Sequence, residues 1–217
     1  DSERRYKRDW KWSDNKKKEV SEKLVERFSH LKNELYTINE LFIAYEKLYN
    51  KQATHLDVLN WTPGFFQLTL YSYINQFAVM LSRIYDHNKD ANSLLKLCDY
   101  IESNLKYLGY SMNKTKEFVD ASRKILSDNE YLVIKLKNLR NLTLAHNDLG
   151  YIEKNAWEEF SPTIGEYRSL VTSAHDIVCM LSILIDLPTP CLGMGVGNDI
   201  DYLITTLQKG YMDDELE

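Results

Sequence analysis

In the stretch LRNLTLAHND, residues 139–148, an arginine and a histidine stand six positions apart. Arg140 carries a permanent charge on a planar fork of donors that matches a phosphate. His146 carries an imidazole that changes charge near neutral pH and can take or deliver a proton. These two types together suit phosphodiester cleavage, with a base for an attacking hydroxyl and a cation for charge developing on oxygen. Asn141, beside the arginine, can orient a substrate or the histidine through its amide. Asn147 and Asp148 follow the histidine, where helix capping and loop solvation are the simpler account.

The element that must position these residues is a helix. Ser127-Asp128-Asn129-Glu130 has the pattern of a capping box just before an apolar run, so a helix is expected to begin near 128. At about 100° per residue, Leu132, Leu136, Leu139 and Leu142 share one stripe, and His146 falls on it. Arg140 lies about 120° from His146, with Asn147 near it. A satisfied inward histidine beside a solvated arginine is one reading of that arrangement. The other brings the groups together, either by a curled Arg140 side chain or by a two-fold axis that places both residues of two chains in one cleft.

Composition narrows the class. At 217 residues the chain suits one domain with extensions, and a chain of this size buries a core without staples. Its 8 Gly and 4 Pro are too few for a turn-rich β-protein. Cys98, Cys179 and Cys191 form no CxxC pair, and His30, His55 and His175 have no partner at metal-ligand spacing. No metal and no other cofactor is therefore expected. The net charge of −5 excludes coating of nucleic acid by bulk electrostatics, though not a local basic site. The chain's start lacks the apolar core of a secretory leader, and the run IVCMLSILI at 177–185 is too short to span a bilayer. A cytoplasmic protein without a membrane partner is the expectation.

Residues 18–50 read as one long helix, apolar at Leu24, Phe28, Leu31, Leu35, Ile38, Phe42, Tyr45 and Tyr49. That spacing seams either a helical hairpin or a subunit interface. Thr62-Pro63 begins a helix to about 86 that is apolar nearly all round, hence central and buried. Asp86 closes it, either paired with Arg140 or simply opening a loop. Helices are expected at about 92–108, closed by Gly109, and at 114–126. After a loop at 149–160, Ser161-Pro162 starts the last major helix, which Pro188 and Pro190 end; a short helix near 199–209 follows. The tyrosines lie on helical stripes and read as core or interface rather than as base-stacking platforms.

The fold class expected is all-α, a bundle of five to six main helices with a long N-terminal helix. Residues 1–18 read as a basic tail, 19–187 as the helical domain, and 188–217 as a Gly/Pro-rich linker, short helix and acidic tail. The opening stretch resembles the signature of the HEPN superfamily (higher eukaryote and prokaryote nucleotide-binding helical domains), an Arg followed by a polar residue and then a His. Asp86, Ser93-Leu94-Leu95, Arg140, Ala145-His146 and Asp148 are similar to its abortive-infection AbiU-like branch over about residues 20–187. The resemblance implies a metal-independent endoribonuclease acting as a homodimer in phage defence or as a toxin, with RNA as substrate and an antitoxin protein as a further partner. It implies Arg140 and His146 as the catalytic pair, with Asn141, Asp86, Asn147 and Asp148 in support. The alternative is a helical dimer that binds a partner protein or nucleotide and cleaves nothing.

Overall fold

Val20, Leu24, Phe28, Leu31, Leu35, Ile38 and Phe42 fall on one side of a helix, and each is at most 4% exposed. This stripe anchors α1 (Ser2–Lys51). Most of the long seam is thus filled within the chain. Towards the helix end Tyr45 is half-buried and Tyr49 exposed, and the inward positions become Ala44 and Leu48. The helix also extends through the basic segment read as a tail. There Lys16–Glu19, Lys17–Asp14 and Lys18–Glu22 pair at helical spacing, which supports a helix that has no apolar face.

The computed structural model describes residues 2–141, 161–192 and 195–214. Among the described residues it contains nine helices and no strand, an all-α fold. After α1 come α2 (Leu56–Leu59), α3 (Pro63–Ile84), α4 (Leu94–Ser103), α5 (Leu105–Leu108), α6 (Met112–Asp128), α7 (Glu130–Leu139), α8 (Ile164–Leu184) and α9 (Gly195–Asp214). The expected 92–108 helix is two pieces, because the Asn104 side-chain amide donates to the Tyr100 carbonyl at 2.8 Å and takes over a helical acceptor. Gly109 then closes α5 at φ 72°, in the left-handed region that glycine enters without strain. The segment after the prolines forms a helix of 20 residues, longer than expected.

The chain divides into two compact units. The first comprises Asp1–Leu35, Arg83–Ile134 and Arg168–Pro190. In it α4 packs on α6, and Arg123 joins them by ion pairs to Asp99 at 3.0 Å and Glu102 at 2.7 Å. Buried Tyr85 donates its hydroxyl to the Leu170 carbonyl at 2.6 Å. The second unit comprises Tyr36–Ser82, Lys135–Tyr167 and Cys191–Glu217. Its core gathers Ala44, Leu48, Leu59, Phe66, Ile200 and Ile204. Phe77 stands between Phe42 and Tyr167, with ring centroids 5.2 and 5.0 Å away.

One expectation about α3 is corrected. From Ile74 to Ile84 its apolar side chains are largely buried, but Phe65 is 60% exposed, Leu68 65% and Tyr71 55%. Residues 65 and 68 are three apart and share a face of α3, so Phe65 and Leu68 form an exposed apolar edge of the second unit, with Tyr71 beside them.

Candidate functional site

α7 carries the arginine. Its inward residues Val133, Leu136 and Leu139 are at most 3% exposed and fix the helix against the core. It begins one residue after Asn129, whose side chain donates to the Ile125 carbonyl at 2.8 Å and the Ser173 hydroxyl at 3.0 Å. The break therefore falls at Asn129, and Ser127, read as a capping residue, lies inside α6. Beyond Leu139 the backbone widens, and Arg140 and Asn141 follow a π-helical path. Single π turns in α-helices recur at functional positions.

The Arg140 guanidinium is held by its neighbours. Nε and Nη2 each donate to the Asn141 side-chain oxygen at 3.1 Å, and Nη1 approaches the Ser82 hydroxyl at 3.5 Å. Ser82 is fully buried and donates its own proton to the Val79 carbonyl at 2.8 Å, so its oxygen is available as an acceptor. Both of these acceptors are neutral oxygens, and they orient the guanidinium. Asn141 therefore faces the arginine. His146, Asn147 and Asp148 lie outside the described residues. Asp86 belongs to the first unit, where its carboxylate accepts from the Asn88 backbone at 3.0 Å and the Asn88 side chain at 3.1 Å.

Ser82 went unnoticed in the sequence, although a small polar residue inside the apolar run LSRIY was a usable signal. Lys135 is largely buried and paired with Glu166 at 2.9 Å. Glu166 also accepts from the Thr163 backbone at 2.6 Å, while the Thr163 hydroxyl accepts from the Glu166 backbone at 3.2 Å. This reciprocal capping box starts α8, two residues after the start read at Ser161-Pro162. The Thr163 N–H and then the Lys135 ammonium hold the Glu166 carboxyl below its ordinary value.

Tyr167, the next residue, is 2% exposed. It lines a cavity of about 390 Å³ in the second unit with Tyr45, Tyr71, Ile74, Ser161, Pro162 and Ile164. Burial pushes the Tyr167 phenol up to about 12, with the nearby Ser161 hydroxyl partly offsetting it. No atom of the described residues meets its hydroxyl with hydrogen-bond geometry. The first unit has a smaller cavity of about 270 Å³ that reaches His87 and Arg123. Among the described residues, no three His, Cys, Asp or Glu side chains converge as metal ligands, and no helix is long and apolar enough to cross a membrane.

The sequence also carries a family assignment. A sequence model of AbiU2, named HEPN_AbiU2, matches residues 21–202. The chain belongs to this AbiU2 family, an abortive-infection branch of the HEPN superfamily. No curated protein and no solved structure matches it.

Proposed function

We propose that this protein is a cytoplasmic endoribonuclease of phage defence, acting as a homodimer with Arg140 and His146 at its centre. The observation that carries the reading is the arginine itself, held at the end of α7 by neutral Asn141 and Ser82 oxygens. A cation oriented in that way suits a phosphate and the charge that grows on it. His146 takes the proton of an RNA 2′-hydroxyl, and that oxygen attacks the adjacent phosphorus. The new O2′–P bond forms as the P–O5′ bond breaks, and the departing 5′-oxygen receives a proton. The products are a 2′,3′-cyclic phosphate and a 5′-hydroxyl, and no water is consumed.

The exposed edge of Phe65 and Leu68 on α3 supports the dimer. Contiguous exposed apolar surface with aromatic residues is typical of interface cores. It is a better candidate than the α1 seam, whose positions from Val20 to Phe42 are already buried within the chain.

The test is cleavage of a cellular RNA pool in EDTA by wild type, His146→Ala and Arg140→Ala, with end-group analysis of the products. Wild type should cut and leave cyclic phosphates, and both variants should fail while folding normally. Leu68→Glu should lower the mass seen by light scattering to that of one chain and abolish cleavage. A wild type that cuts nothing, or a His146→Ala variant that cuts equally well, would defeat the reading. A Leu68→Glu variant that stays assembled removes the α3 edge from the interface.

A further inference from the structure

The tyrosine-lined cavity of the second unit has a chemistry of its own. Its walls are the rings of Tyr45, Tyr71 and Tyr167 with aliphatic Ile74 and Ile164, and among the described residues no charged side chain lines it. Its volume of about 390 Å³ falls within the range that holds small ligands. Two of the rings are braced from behind. Tyr45 stacks on Tyr49 at 5.8 Å, and Tyr167 meets Phe77 edge to face at 5.0 Å. Tyr71 forms an exposed wall, 55% accessible.

The unmet hydrogen bond makes this more than an apolar dent. Tyr167 is almost wholly buried, and the Ser161 hydroxyl stands near its own without meeting it in hydrogen-bond geometry. An unsatisfied buried hydroxyl costs stability unless something fills its bonding capacity. The complementary occupant is neutral, flat and aromatic, with hydrogen-bonding groups on its edge. A nucleobase has all of these properties, and aromatic platforms bind unpaired bases through their faces whatever the sequence.

We infer that this recess is a base-binding subsite for a single-stranded RNA, with Tyr71 and Tyr45 supplying ring faces and the Tyr167 and Ser161 hydroxyls contacting the base edge. The inference rests on the endoribonuclease reading for its polymer. Position supports it. Arg140 reaches Ser82, eight residues beyond Ile74 on the same helix α3, which is about 12 Å along the axis at 1.5 Å per residue. The recess and the arginine thus engage different nucleotides of one strand. A base held there fixes which phosphodiester is presented to Arg140.

The experiment is fluorescence-anisotropy binding of labelled oligoadenylate, oligocytidylate and oligouridylate in EDTA, alongside cleavage of the same strands. Wild type is compared with Tyr71→Ala, Tyr167→Phe and Arg140→Ala, each checked by a melting curve. Tyr71→Ala should weaken binding about five- to a hundredfold, the loss of one stacked base. Tyr167→Phe removes one oxygen and no ring, so it should fold normally and narrow the preference among the three strands. Arg140→Ala should lose cleavage and keep that preference. If wild type binds and cuts RNA while both tyrosine variants match it, the subsite is wrong and the endoribonuclease reading stands. If the tyrosine variants weaken binding but wild type cuts nothing, the subsite stands and the enzyme reading falls. If wild type binds none of the strands, both fall.

Discussion

Asn141→Ala should separate the aiming of Arg140 from the charge it carries. The Asn141 oxygen accepts from Nε and Nη2 at 3.1 Å each. Because Asn141 is exposed, water replaces the lost acceptor, and stability should change by less than about 0.5 kcal/mol. What is lost is orientation. Hydrogen bonds to charged groups contribute about 1.5–3 kcal/mol. Water competes at this position, so the lower figure applies, and about 1.5 kcal/mol corresponds to roughly a tenfold loss of rate. The loss should fall on kcat more than on KM, since a misaimed cation still attracts a phosphate. Asn141→Asp is the informative companion. It keeps an acceptor in the same place and adds a negative charge against the guanidinium, so it should cut more slowly than Asn141→Ala. Initial rates on a quenched fluorescent RNA strand in EDTA, with urea melts of each variant, supply the readouts. Wild-type kcat in Asn141→Ala, or recovery of activity in Asn141→Asp, would refute the proposed aiming role.

Two further expectations concern stability. A helical glycine replaced by alanine ordinarily gains about 1 kcal/mol, and Gly210→Ala should show much of that gain because nothing lies within 4 Å of the added carbon. Gly197→Ala should show none and should melt lower than Gly210→Ala, because its new carbon would sit 3.1 Å from Ile43 Cγ2 and 3.5 Å from Lys47 Cε; equal melting temperatures would contradict the close approach of α9 to α1. Glu166 has a folded-state pKa lowered by Thr163 and Lys135, so its contribution is present above the ordinary value of 4.5 and is lost as pH falls through the folded value. Glu166→Gln should therefore cost about 1 kcal/mol at pH 7, and urea midpoints should show that cost shrinking below pH 4.5; a cost independent of pH would remove Lys135 and the carboxylate charge from the account.

Where one residue type dictates one backbone event, the fold was readable. Pro63 opens α3 and Gly109 closes α5, because each position has a conformation those residues favour. The α1 stripe was equally plain, since an unbroken run of buried positions leaves a periodic mark. The misreadings share a cause. Asn104 and Asn129 break helices by donating a side-chain amide to a carbonyl four residues back, and that bond leaves no periodic trace. Thr163 won the cap over Ser161 because Glu166 stood three residues on to return the bond. Residues 1–18 were read as a tail because their charges mark no apolar stripe in the sequence, whereas pairs at helical spacing join residues 14 to 22 within α1. The exposed edge of α3 had the opposite fault. Phe65 and Leu68 look like core residues in sequence and are not covered by their own chain.

The site shows where periodicity stops informing. Arg140 and Asn141 were singled out by type and spacing, and the structure joins their side chains by hydrogen bonds. The tyrosines of the recess were passed over because 45, 71 and 167 are far apart in sequence, and only folding brings them to one cavity. The angle between Arg140 and His146 was drawn by carrying 100° steps from Leu132 through residue 146. That projection holds only as far as Leu139, where the backbone leaves the α path and Arg140 and Asn141 take the π turn. His146 lies outside the described residues, so the projection is not carried past Asn141. The 120° separation therefore gives no reason to keep the two groups apart.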